Sequence, residues 1–470
     1  MDSMDTVSHQ RIELARCLPG NNDRDQVLYD LAEALDDRFR VGGKVDDVDE
    51  AIDLHRAALE LRPSGHPDRS SSLHHLALCL ADRYEKLGAV TDLEEAITLG
   101  RAALELRPPG HSARHTTLNS LGYDLLQRFQ KQAAMQDLDE AIELYRAALA
   151  LRPPGHPDHS WSLHYLALCL ADRYGKLGAV TDLEEAIMLG RAVLELRPPG
   201  HSARHVSLNN LACDLLQRFQ KQAAMQDLDE AIELHRAALS LRPPGHPDRS
   251  SSLHHLAFRL ADRYMKLGAV TDLEEAITLA RAALELRPPG HSARHVSLSN
   301  LAYDLRQRFQ KQAAMQDLDE AIELHWAALA LCPPGHPDRS WSLHHLALCL
   351  ADRYKKLGAV TDLEEAITLG RAALELHPPG HSARHVSLNN LACDLLQRFQ
   401  EQAAMQDLDE AIELYRAVLA LQPPGHPDRS SSLHYLARCL ADRYEKLGAV
   451  TDLEEAITLE RAALELRPPG

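Results

Sequence analysis

Leu73, Leu76, Ala77, Leu80, Tyr84 and Leu87 fall at i, i+3, i+4, i+7, i+11 and i+14, the apolar stripe of an amphipathic helix. Gly88 can take the left-handed conformation that stops such a helix. A second stripe follows at Leu93, Ala96, Ile97, Gly100, Ala103 and Leu104, with Asp92 and Glu95 spaced as an N-cap and an N3 carboxylate. Pro108-Pro109-Gly110 closes it, because proline cannot supply the next helical donor. The pattern predicts a hairpin of two helices, called A and B below.

The hairpin recurs. A motif Asp-(Leu/Val)-(Asp/Glu)-Glu-Ala-Ile begins at Asp47, Asp92, Asp137, Asp182, Asp227, Asp272, Asp317, Asp362, Asp407 and Asp452, every 45 residues without insertion or deletion. Thr-Asp-Leu-Glu-Glu-Ala-Ile at 91, 181, 271, 361 and 451 alternates with Asp-Leu-Asp-Glu-Ala-Ile at 137, 227, 317 and 407, so the larger copying unit is 90 residues. One amphipathic hairpin cannot bury its apolar face alone, and stacked copies can, which predicts an all-α solenoid of ten hairpins. Length alone would suggest about three domains. No change of composition or linker interrupts residues 23–470, however, so they read as one array. Residues 1–22, with Arg11-Ile12-Glu13-Leu14-Ala15-Arg16-Cys17-Leu18 one period before the first full helix B, read as a degenerate half-repeat that caps it.

These residues resemble the tetratricopeptide repeat (TPR) family. Leu73, Leu76, Ala77 and Leu80 match the family's first helix, and Ala96, Ala103 and Pro108 match its second. The resemblance implies a right-handed superhelix that binds a protein or peptide in a concave groove lined by helix A. The unit exceeds the family's usual length of about 34 residues, so a longer first helix and wider loops are expected. Where the family favours an aromatic on helix B, this chain has His55, Gly100, Tyr145, Gly190, His235, Ala280, His325, Gly370, Tyr415 and Glu460, which puts regular packing there in question. The Pro-Pro-Gly-His-Pro-Asp-Arg-Ser wording is similar to long repeat arrays of fungal proteins, some joined to a caspase-like (CHAT-type) peptidase or a nucleotide-binding switch domain. That likeness implies a second reading, the sensor arm of a larger signalling or protease assembly.

Charge and cysteine usage narrow the partners. The formal charge of −18, from 51 basic and 69 acidic residues, opposes nucleic acid and anionic membranes, because phosphate contacts need a basic stripe. The polar helix A row superficially resembles an RNA reader with one base per repeat, and that reading ranks third for the same reason. The start carries neither a basic n-region nor an apolar h-region, and no apolar run is long enough to span a bilayer; a soluble cytoplasmic protein is expected. The cysteines Cys79, Cys169, Cys349 and Cys439 share one repeat position and Cys213 and Cys393 another, too far apart to be joined as disulfides.

No catalytic or cofactor motif emerges. The Gly-His pairs from Gly65-His66 to Gly425-His426 sit one repeat apart, about 10 Å per packed layer, beyond the reach of one zinc ion. Their expected role is structural, the histidine capping carbonyls at the end of helix B. The adjacent pairs His74-His75, His254-His255 and His344-His345 lack the i, i+3 or i, i+4 spacing of a helical metal site. No Gly-rich phosphate loop, His-Glu-x-x-His or Gly-x-Ser-x-Gly is present. The expectation is a non-catalytic scaffold without cofactor or metal.

The TPR resemblance places the partner's groove on helix A, at positions where the copies differ. One row reads His74, Asn119, His164, Asn209, His254, Ser299, His344, Asn389 and His434. A second runs Leu78, Tyr123, Leu168, Cys213, Phe258, Tyr303, Leu348, Cys393 and Arg438, and the Ser71 position becomes Trp161 and Trp341. Large aromatics are costly to leave in water unless they pack or bind. Trp326 replaces a helix B arginine and is expected on the outer face. The last stripe, Leu453, Ala456, Ile457, Ala463 and Leu464, has no helix A after it within these residues, from which self-association through the final hairpin is expected.

Overall fold

The computed structural model describes residues 3–466 except 153, 154 and 157, so the closing Pro469-Gly470 lies outside the described residues. Twenty-one helices and no strand are found among them. The chain divides into two compact units, residues 1–241 and 242–470. The first holds a single helix, Ser3–Arg16, and five hairpins; the second holds five hairpins. Within each unit helix A packs on its own helix B, and helix B packs on the helix A that follows it, so each is an all-α solenoid.

The hairpin at 69–105 shows how the sequence sets these elements. Helix A, Arg69–Leu87, has 19 residues and helix B, Val90–Glu105, has 16. The extra length of the unit enters helix A, as expected, and also the loop after helix B; the turn from A to B is only Gly88-Ala89. Gly88 takes φ +73 and donates its N–H to the Tyr84 carbonyl, the left-handed stop read from the sequence. Leu73, Leu76, Ala77, Leu80, Leu93, Ala96, Ile97 and Ala103 are buried, whereas Leu87, last of the stripe, is exposed. With Ala96 and Ala103 fully buried, Ala96→Leu is expected to overpack the helix contact and cost about 1–3 kcal/mol, read as a lower urea midpoint.

Alternate repeats stop helix A on alanine instead. Ala133, Ala223, Ala313 and Ala403 hold φ between +53 and +56, a conformation in which Cβ crowds the following carbonyl. Ala313→Gly is expected to stabilise its hairpin by about 0.5–1 kcal/mol, the relieved strain exceeding glycine's extra unfolded-state entropy. Urea unfolding of the two chains checks this.

Two expectations about the motif need correcting. Asp92 is not an N-cap: helix B begins at Val90 after an extended Ala89, and Asp92 sits in its first turn, buried. Its carboxylate accepts both arms of the Arg83 guanidinium, Nε at 2.7 Å and Nη2 at 2.8 Å. The same fork joins the two helices of every hairpin, from Arg38–Asp47 to Arg443–Asp452. An anion in the first turn also suits the helix dipole.

The loop histidines also act otherwise than expected. His66 Nδ1 accepts the backbone N–H of Asp68 at 3.2 Å, at the start of the next helix A, and its counterparts repeat this bond. They cap the following helix, not the carbonyls of the preceding one. Beside them runs a row of inward arginines: Arg62, Arg107, Arg197 and Arg287 each donate to a hydroxyl ten residues on, at 2.6–2.9 Å. After Arg287 this position becomes Cys332, His377 and Gln422.

Candidate functional site

The polar helix A row lies deeper than its sequence suggests. His74, Asn119, His164 and Ser299 are buried, and Asn209, His254, His344, Asn389 and His434 are half-buried. The row faces helix B of its own hairpin, 26 residues on: His235 Nδ1 lies 3.2 Å from Asn209 Oδ1, and His434 Nδ1 lies 2.8 Å from Glu460 Oε1. The two positions trade size. Histidine on A goes with Gly100, Gly190, Ala280 and Gly370 on B, while Asn119, Asn209, Ser299 and Asn389 go with Tyr145, His235, His325 and Tyr415. Where helix B carries glycine at this place, the leucine of the following helix A also closes in, Leu121 on Gly100, Leu211 on Gly190 and Leu391 on Gly370. The row is therefore packing as much as surface, and His74, Asn119, His164 and Ser299 are too buried to meet a partner in this conformation.

Burial also holds these histidines neutral: it pushes His74 down to about 3 and His164, His254 and His344 down to about 4. At neutral pH they present N–H donors and lone pairs instead of charge.

The second row and the tryptophans come together. Tyr123 and Trp161, read separately from the sequence, have ring centroids 6.2 Å apart, and Tyr145 and Tyr165 complete the group. Trp161 lies 4.3 Å from Tyr165, and Tyr145 stacks on Tyr165 at 6.0 Å. The Tyr123 hydroxyl donates to Glu85 at 2.7 Å. The arrangement recurs 180 residues on: Trp341 is 4.0 Å from His345, which stacks on His325 at 5.9 Å and meets Tyr303 at 5.3 Å. Trp341 remains 47% exposed, so it offers a face to solvent, whereas Trp161 is half-buried.

The same four positions hold different chemistry elsewhere. Near the N-terminus they are Glu33, His55, Ser71 and His75, with His75 Nδ1 2.6 Å and His55 Nε2 3.3 Å from the Glu33 carboxylate. In the last copy they are Cys393, Tyr415, Ser431 and Tyr435, with Cys393 Sγ 3.0 Å from the Tyr415 hydroxyl and Tyr415 stacked on Tyr435 at 5.8 Å. The Tyr145 position reads from the sequence only as irregular packing, and the Tyr165 position does not read as part of the groove; both vary among copies, which was the available signal. In the alternate repeats the second row carries Leu78, Leu168 and Leu348, half-buried, and Phe258, exposed under the Arg259 guanidinium at 4.4 Å. Arg438 is exposed, and Trp326 is 41% exposed on helix B, in keeping with an outward position.

The sequence profile described as tetratricopeptide repeat matches residues 69–113, 116–158, 206–248, 296–338 and 386–428. The chain is a long tandem array of TPR-like repeats. No curated protein sequence matches it. Among solved structures it is similar to a Podosopora anserina protein of nearly identical TPR-like repeats, at 22% identity over 46% of this chain and 96% of that one, TM-score 0.34. It is also similar to YrrB, a TPR protein with an unusual peptide-binding site (18%, 48% and 96%, TM-score 0.34), and to a human IFIT1 dimer with PPP-AAAA (16%, 98% and 94%, TM-score 0.38). No helix among the described residues is long and apolar enough to cross a membrane.

Proposed function

We propose that this array is a non-catalytic scaffold that binds a protein or peptide through the clusters where its variable positions converge. TPR repeats generally mediate protein–protein interaction, which sets the class. The observation that carries the reading is the contrast between frame and cluster. The Arg–Asp forks and the buried leucines and alanines are the same in nearly every copy, while the Tyr123/Tyr145/Trp161/Tyr165 positions change from copy to copy. Compensated packing accounts for the change at the buried Tyr145 position, but not for the changes at the half-buried Tyr123, Trp161 and Tyr165 positions, which reach solvent. The clusters around Trp161 and Trp341 supply aromatic anchors, and the acidic and thiol-bearing versions at Glu33 and Cys393 make the surface differ along the chain, which is how one partner is told from another.

Charge favours a polypeptide over a phosphate backbone. The helix B arginines are engaged by glutamates 39 residues on, as in Arg101–Glu140, Arg191–Glu230 and Arg371–Glu410.

The test uses the tagged full chain and the double variant Trp161→Ser/Trp341→Ser, serine being native at the equivalent Ser71 and Ser431. Proteins captured by the native chain are expected to fall at least tenfold with the variant, by quantitative mass spectrometry, while its helicity at the assay temperature is retained. Equal capture by both chains overturns the assignment of the clusters.

A further inference from the structure

We propose that His295, Cys332 and His336 form a binding site for a divalent metal ion of the zinc type. Donor atoms from these three residues lie within 4.8 Å of one another. A tetrahedral zinc ion with bonds of about 2.0–2.3 Å holds neighbouring donors about 3.5 Å apart, so modest side-chain rotation closes the set. Thiolate with imidazole is the donor chemistry that selects zinc over magnesium or calcium. Three protein ligands leave a fourth position for water or a ligand.

The repeat itself shows why a thiolate joins the set at one place: among the described residues His205, His246 and Asp248 bring their donor atoms equally close, but the residue at the Cys332 position there is Arg242. A histidine at the start of helix A and the loop histidine of the next repeat form a pair in several copies: His115–His156 at 5.7 Å, His295–His336 at 4.8 Å and His385–His426 at 5.4 Å between ring centroids. Comparison of like with like, Gly-His against Gly-His, misses this pair, because it joins unlike positions. Beside the first pair stands Arg152, with Nη2 2.7 Å from His115 Nε2, and a guanidinium there excludes a cation. Beside the last stands Gln422, an amide. Only beside His295 and His336 is the residue a cysteine. Cys332 has no exposed surface, while both histidines are partly exposed and open a path for the ion.

The surroundings supply outer partners. Asp338 Oδ2 lies 3.0 Å from His295 Nε2, so its carboxylate accepts that N–H and leaves the lone pair of the ring on Nδ1, as carboxylates do behind metal-bound histidines. His336 Nδ1 accepts the Asp338 backbone N–H at 3.1 Å, and loading the site gives up that bond. The start of the following helix A, Arg339–Leu357, therefore adjusts when the metal binds.

The experiment titrates cobalt(II), then zinc, into the chelator-treated full chain. One cobalt per chain is expected, with a thiolate-to-cobalt charge-transfer band and the intense visible bands of four-coordinate cobalt, both removed by zinc. Cys332→Arg restores the residue of sister copies; it is expected to abolish the charge-transfer band and weaken binding at least tenfold with helicity unchanged. Cys332→Ser, which keeps the small volume, gives the same reading should the arginine disturb the fold. His336→Gln is expected to weaken binding at least tenfold and to keep the thiolate. A native chain without a charge-transfer band overturns the proposal, as does a band that persists in both Cys332 variants.

Discussion

Asp317→Ala is expected to destabilise its hairpin by about 2–4 kcal/mol, the cost of stranding the partner of a largely buried, bidentate ion pair. Arg308 Nε and Nη2 both donate to Asp317 at 2.7 Å, and the carboxylate is only 9% exposed. Arg308 is 24% exposed, so water recovers part of the loss and the figure stays below that of a fully buried pair. The fork bridges the end of helix A to the first turn of helix B, so hydrogen exchange is expected to accelerate across 315–330 before the other hairpins respond. Asp317→Asn retains one acceptor and is expected to cost less. Equal stability of native and alanine chains would make the fork an ornament.

The buried aspartates of helix A give the second large effect, and its sign runs against the usual carboxylate. Burial raises Asp304 from its ordinary 3.8 to about 8, with Asp262 nearby adding to it; Asp214 beside Asp172 rises to about 7. Asp394 also rises to about 7, with Asp352 reinforcing the shift and Lys355 opposing it. A carboxyl whose folded pKa is raised holds its proton more tightly when folded. Its contribution is fully present below about pH 4 and is lost as pH climbs towards 8. For Asp304 the span is on the order of 5 kcal/mol. The buried histidines work the other way, since their depressed values cost stability as pH falls below about 6.5. Comparison with Asp304→Asn isolates the carboxyl: the variant is expected to gain on the native chain steadily from pH 5 to pH 8.5 in urea midpoint. A constant difference would place Asp304 in contact with water.

Much of this fold is legible in the sequence because identical local rules are written ten times. Leucines at helical spacing, Gly88 at a left-handed stop and Pro108 after helix B each specify one outcome. Asp92 was not legible as a fork partner because an aspartate at the N-cap and one three positions later look alike when only the helix start is judged. The recurring Arg-x8-Asp spacing carried the signal. The candidate site was legible in part. Variation marked Tyr123, Trp161, Tyr303 and Trp341, but it also marked His74 and Asn119, whose variation answers the size of the helix B residue opposite. Variation alone does not separate packing compensated across a hairpin from surface left to change; pairing each position with its neighbour 26 residues on does.

The central claim is that a constant frame presents variable clusters to a polypeptide partner. Hydrogen–deuterium exchange of the full chain, with and without a captured partner at saturating concentration, tests it most directly. Added protection is expected in the helix A segments carrying Tyr123 and Trp161 and those carrying Tyr303 and Trp341, and it should vanish in Trp161→Ser/Trp341→Ser. Protection confined to the helix B face of Arg101, Arg191 and Trp326, with the helix A segments unchanged, would contradict it.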